Sequence, residues 1–153
     1  MTRIGIIGLG SDLRGDDAVG HSVLSYLEKK EIEDVDLIYG GTGGMRLVHD
    51  LEGLDVALII DAARMDLEPG DFRIFSPDEA ENIESFRASN QHEWDPFRSL
   101  ELLDIMDKKR RKILIMGIEP LSLDLGDGLS PEIRDRISLY AEEALKALKN
   151  GSS

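Results

Sequence analysis

The sequence contains no cysteine, which removes disulfides, thiolate metal sites and a cysteine nucleophile together. Basic residues are few: 18 Lys+Arg stand against 31 Asp+Glu, a formal net charge of −13. General nucleic-acid binding needs a basic face to displace counterions from phosphates, so that class is all but excluded. No apolar run approaches the roughly 20 residues a membrane-spanning helix needs. Met-Thr-Arg passes straight into a strand-like stretch without an apolar signal segment, so a soluble, cytoplasmic protein is expected. Aromatic residues make up only 5% of the chain, but 41% of its 153 residues are apolar. That is enough for one core of two or three layers. A single domain over residues 1–150 is expected, with the Gly-Ser-Ser end, 151–153, as a disordered tail.

Short apolar runs alternate with helical patterns. Ile4–Ile7, Leu37–Tyr39, Val56–Asp61 and Ile113–Ile118 read as strands, and Phe72–Phe75 alternates like an edge strand after the turn Glu68-Pro69-Gly70-Asp71. The run Val56-Ala57-Leu58-Ile59-Ile60 has no polar break, the mark of a parallel strand covered on both faces. Helices are predicted from about Asp17 to Lys30, Met45 to Leu51 and Phe97 to Asp107, and from the Ser130-Pro131 start signal to Asn150. This order predicts a three-layer αβα sandwich with a mostly parallel five-stranded sheet and one antiparallel edge strand. Sites in such sheets lie at the carboxyl ends of the strands. The segments leaving those ends are Gly8–Asp17, Gly40–Gly44 and Asp61 onward.

Gly8-x-Gly10 tempts a dinucleotide reading, but the third glycine would fall at Leu13. Asp16 and Asp17 would also place negative charge where a phosphate must sit. One aspartate suffices to cap a helix, so the adjacent pair leaves one acid for chemistry. Asp61 closes the central strand at the expected site edge. His92 lies in the long polar stretch 77–97, beside the only tryptophan. With Asp17 and Asp61 it completes an Asp-Asp-His set suited to a borderline divalent ion such as nickel, zinc or manganese, with positions left open. His21 competes for that place through the spacing Asp17-x-x-x-His21. Gly41, Thr42, Gly43 and Gly44 would offer backbone N–H groups or close approach to a peptide, or serve as a plain loop. The basic run Lys108–Lys112 is expected to complement a helix C-terminus. No Ser-His-Asp triad is evident.

Together these residues resemble the nickel–iron hydrogenase maturation endopeptidase family. The likeness runs from Ile4 to about Leu148. It rests on Gly8-x-Gly10, Leu13-Arg14-Gly15-Asp16-Asp17-Ala18-Val19-Gly20, Gly41-Thr42-x-Gly44, Asp61-Ala62, the loop histidine, Gly117-Ile118-Glu119-Pro120 and Gly128-Leu129-Ser130-Pro131, in that order. The resemblance implies removal of a C-terminal extension from a nickel-loaded hydrogenase large-subunit precursor. It assigns the metal-contacting acids to Asp17 and Asp61 and the histidine to His92. The nickel would arrive with the substrate, and cadmium or zinc would fit the same ligands. Two departures stand out: Ser11, where members often carry Asn, and Tyr39, where many carry an acid. A non-catalytic nickel-binding checkpoint and a Rossmann-like small-molecule hydrolase stay open at this point.

Overall fold

The unbroken apolar run becomes the central strand. In the structure, a computed structural model that describes residues 2–41, 45–80, 96–106 and 110–151, β3 spans Val56–Ala62. Its neighbours are β1 (Ile4–Leu9) and β5 (Lys112–Ile118), both parallel to it. The outer strands are β2 (Asp36–Gly41), parallel to β1, and β4 (Phe72–Phe75), antiparallel to β5. The order β2-β1-β3-β5-β4 gives the five-stranded, mostly parallel sheet expected, with its antiparallel strand at the edge.

Strand alternation divides the core. Leu58 and Ile60 face the helices α1 (Val19–Lys29) and α6 (Ile137–Gly151), packing with Val23, Leu24, Tyr140 and Ala144. Ala57 and Ile59 face α2 (Met45–Glu52) and α4 (Pro96–Met106), packing with Leu47, Leu51 and Leu103. Each fully buried Leu or Ile contributes roughly 1.5–3 kcal/mol, so a sheet covered on both faces is what this apolar run stabilises. Two short helices, α3 (Pro77–Ala80) and α5 (Pro131–Arg134), complete the described elements. Among the described residues no helix is long and apolar enough to cross a membrane.

Two helix readings are corrected. The first helix does not begin at Asp17: a 3-10 turn over Gly15–Ala18 precedes it, and α1 starts at Val19. The last helix is not continuous. It breaks after Arg134, where the Arg136 guanidinium reaches Asp71 at 3.2 Å and Tyr140 donates to the Gly70 carbonyl. The jog lets both anchors grip the turn before β4 while Ile133 stays buried. The predicted cation at a helix C-terminus is found at α2, where Arg111 donates to the Leu51 and Glu52 carbonyls.

The glycines of the first motif set how closely α1 packs on the sheet. A Cβ on Gly20 would lie 2.8 Å from both the Ile60 and Leu9 carbonyl oxygens, and one on Gly8 would lie 2.7 Å from the Gly20 carbonyl. Backbone meets backbone here, with no side chain free to yield. Gly20→Ala is therefore expected to destabilise the protein by about 1–3 kcal/mol or more, read as a lower urea midpoint. An unchanged midpoint would mean that α1 sits farther from β1 and β3 than described.

Candidate functional site

The close packing of α1 brings its leading turn to the carboxyl edge of β1 and β3. Gly10 leaves β1 with φ +119°, a conformation L side chains rarely adopt, and a Cβ there would collide with the Asp17 carbonyl. Ser11 follows, and its backbone N–H donates to Asp17 Oδ2 at 2.8 Å. The Ser11 hydroxyl accepts the Leu13 N–H at 3.2 Å. That is the side-chain-to-backbone turn an Asn would make, so the Ser11 departure keeps the local geometry.

The adjacent aspartates divide their work. Asp16 is fully buried. Its carboxylate accepts the N–H groups of Leu121, Ser122 and Ser130 and the Ser130 hydroxyl, at 2.7–3.1 Å. Its own N–H donates to the Ser122 carbonyl. Asp16 is thus the clamp between the first motif and the loop 121–130. It explains why Ser130-Pro131 belongs to the same pattern as residues far away in the chain. Asp17, partly exposed, is held only by Ser11 among the described residues.

Asp61 comes to the same edge from β3, in register with Gly117 of β5. Burial pushes its carboxyl up to about 8, and the nearby Asp17 charge adds to the rise; a backbone hydrogen bond from Ala62 opposes both and is outweighed. Two acids from separate elements therefore come close enough for the charge of one to raise the carboxyl of the other, in a partly dry setting.

A stability consequence follows from linkage. Unfolded, Asp61 loses its proton near 3.8; folded, it keeps it to about 8. Between those values the folded state holds the extra proton, so this group's contribution to stability falls as pH rises from about 4 to about 8. At about 1.4 kcal/mol per pKa unit the total is on the order of several kcal/mol. Urea titrations of the wild type and Asp61→Asn at pH 5 and pH 8 isolate the effect. The variant is expected to gain on the wild type at pH 8, and equal differences at both pH values would remove the assigned cause.

The Nδ1 of His21 lies 2.8 Å from Asp12 Oδ1, its ring meets Tyr39 edge-on at 5.3 Å, and among the described residues its buried Nε2 has no hydrogen-bond partner. The Tyr39 departure thus places an aromatic wall against His21, with the Tyr39 hydroxyl 3.2 Å from Ser25 Oγ. Asp12, His21 and Tyr39 line a 390 Å3 cleft alongside α1. His49 is exposed on α2, as expected. Gly41 ends β2 with φ +63°, and its carbonyl accepts the Gly10 N–H at 2.7 Å, so it borders the Asp17 loop directly. His92, Thr42, Gly43 and Gly44 lie outside the described residues. Among the described residues no group of three or more His, Cys, Asp or Glu is placed to hold a metal ion.

Sequence reasoning missed one structural carboxylate. Glu119 is buried and accepts the N–H groups of Met65 and Leu67 at 2.6 and 3.0 Å. It fixes the chain just beyond Asp61, and the signal was an acid directly after the apolar strand Ile113–Ile118.

A three-layer αβα domain with a paired-carboxylate centre at the carboxyl edge of its sheet is the class that fold and site define. Comparison with known proteins narrows it. The sequence profile of the hydrogenase maturation protease family, HycI, matches residues 19–147. The hydrogenase 2 maturation protease of Escherichia coli is 29% identical over 150 residues, covering 96% of this chain and 91% of that protein. The structure of the hydrogenase maturating endopeptidase HybD from E. coli superposes with a TM-score of 0.79 at 27% identity, over 97% of this chain and 93% of the other. The solution structure of an endopeptidase from E. coli gives a TM-score of 0.83 at 28% identity, over the same shares. The chain belongs to the hydrogenase maturation protease family and is a protease of that family.

Proposed function

We propose that this protease removes the C-terminal extension of a nickel–iron hydrogenase large-subunit precursor after nickel has been inserted, in the cytoplasm, with Asp17, Asp61 and His92 as the residues that engage the metal. The observation that carries the reading is the convergence of Asp17 and Asp61 at one sheet edge, with the Asp61 carboxyl pushed up by burial and by its neighbour. Two carboxylates held against their mutual repulsion are a site that gains from a divalent cation, and a cation there would displace the Asp61 proton. Oxygen donors joined by one imidazole suit nickel, and equally cadmium or zinc as substitutes. His92 stands four residues before Pro96, where α4 begins.

The chemistry needs water added to the scissile carbonyl carbon, cleavage of the C–N bond and delivery of a proton to the departing amine. A divalent ion at the site, when bound, polarises a carbonyl and makes water more acidic. The chain's own residues hold and orient. The Ser11 N–H fixes one oxygen of Asp17. Glu119 fixes the backbone beyond Asp61. Gly41, with Thr42, Gly43 and Gly44 after it, offers close backbone approach to the incoming peptide. The chain has no cysteine to form a thioester, and direct attack by water is the route proposed.

The test is a mixture of the purified protein with nickel-loaded and nickel-free precursor, followed by mass spectrometry. Shortening of the nickel-loaded form alone is expected. Binding without shortening would make the protein a checkpoint, and shortening of both forms would remove nickel from the reading.

A further inference from the structure

Three large apolar side chains stand in water beside the site without a structural use. Leu13, Leu121 and Leu125 are 71%, 51% and 64% exposed. They sit on two loops joined to one another, since the Gly126 N–H donates to the Leu13 carbonyl at 3.1 Å. Both loops are rigidly tied to the first motif. Leu13 closes the turn on Ser11, whose N–H holds Asp17, and Leu121 donates its N–H to the buried Asp16 carboxylate. Loops clamped in this way have little backbone freedom left to lose when covered, which lowers the cost of binding. The same two loops carry three exposed acids, Asp12, Asp124 and Asp127, against one exposed cation, Arg14. Exposed apolar side chains on two joined loops, interspersed with charged residues and next to the loop that carries Asp17, suit a protein docking face.

From this arrangement we infer that Leu13, Leu121 and Leu125 form the exosite that seats the folded body of the protein substrate, apart from the peptide that is cut. The occupant has an apolar centre and a basic rim, matching the three leucines and the three acids. The inference rests on the reading that the substrate is the large-subunit precursor, whose folded body would carry that surface. The leucines supply the contact, and the acids supply attraction that salt weakens.

The experiment measures binding of two nickel-loaded probes by interferometry: the precursor, and the same subunit with its extension already removed. Leu13→Ser/Leu125→Ser is expected to weaken both about tenfold, with cleavage of bound precursor proceeding at the wild-type rate. Leu121→Ser is expected to weaken both in the same direction, and higher salt is expected to weaken the wild type. Each leucine is exposed, so the variants keep the fold, which circular dichroism verifies. Wild-type affinity in both variants would overturn the inference, as would a loss confined to the precursor, because the leucines would then hold the extension. A wild-type protein that binds neither probe also overturns it. A wild-type protein that binds both but cleaves nothing defeats the proposed activity and leaves the docking face standing.

Discussion

Asp17→Asn and Asp61→Asn are each expected to lower processing of nickel-loaded precursor by about 1,000-fold or more, while the protein stays folded. Asn has nearly the shape of Asp, and its carbonyl oxygen still accepts the Ser11 N–H that positions residue 17. What is lost is the negative charge. At position 61 that charge opposes folding, since burial and Asp17 both penalise it. Asp61→Asn is therefore expected to melt no lower than the wild type at neutral pH while losing activity. Loss of function with retained stability separates a reacting group from a structural one. Because the two carboxylates act as one unit, the double variant is expected to be little worse than either single variant. His92→Ala is expected to show the same loss. Time courses with each variant, read by mass spectrometry, check all three. Wild-type turnover in any of them would remove that residue from the site.

The neighbouring aspartate is expected to behave in the opposite way. Asp16→Ala removes a fully buried carboxylate and leaves the partly buried N–H groups of Leu121, Ser122 and Ser130 without their acceptor. Each unsatisfied group costs about 1–3 kcal/mol, so a total loss of about 3–5 kcal/mol is expected, close to that for breaking a buried charge network. At about 2–4 °C per kcal/mol for a domain of this size, the melting temperature should fall by roughly 10 °C. Asp16→Asn recovers only part of this. Both Asp16 oxygens accept hydrogen bonds, Oδ1 from Ser130 and Oδ2 from Leu121, Ser122 and the Ser130 hydroxyl. An amide offers one oxygen and turns its NH2 toward N–H donors. Calorimetry and processing assays on the Asp16 and Asp17 variants side by side check the contrast: the first position is expected to set stability and the second activity.

That contrast also marks how far the sequence could be read. The uninterrupted run Val56–Ile60 announced a strand buried on both faces, and a mostly parallel sheet with one antiparallel edge strand followed from alternating strands and helices. Asp61 was legible because strand-end position and residue type coincide there. Residue type and position alone did not separate Asp16 from Asp17, because both are acids at a helix start; the family resemblance pointed to Asp17. Their difference depends on the loop 121–130, more than a hundred residues away, which only the folded chain brings near. Leu13 was equally opaque, since periodicity does not distinguish a leucine that packs from one on a turn beside Asp17. The break in the last helix escaped for a similar reason: its cause is the grip of Arg136 and Tyr140 on Asp71 and Gly70, and local propensity favours a continuous helix. The mismatch of Gly8-x-Gly10 with a dinucleotide motif was visible, but its meaning was not. Those glycines let α1 lie against the sheet and deliver Asp17 to Asp61.

The central claim is that Asp17, Asp61 and His92 converge on one divalent cation. Diffraction from crystals soaked in cadmium, collected at a wavelength where cadmium scatters anomalously, tests it most directly. The account predicts an anomalous peak within about 2.0–2.5 Å of a carboxylate oxygen of Asp17, a carboxylate oxygen of Asp61 and a ring nitrogen of His92. A peak bound instead by His21 and Asp12, or three side chains that share no peak, would contradict it.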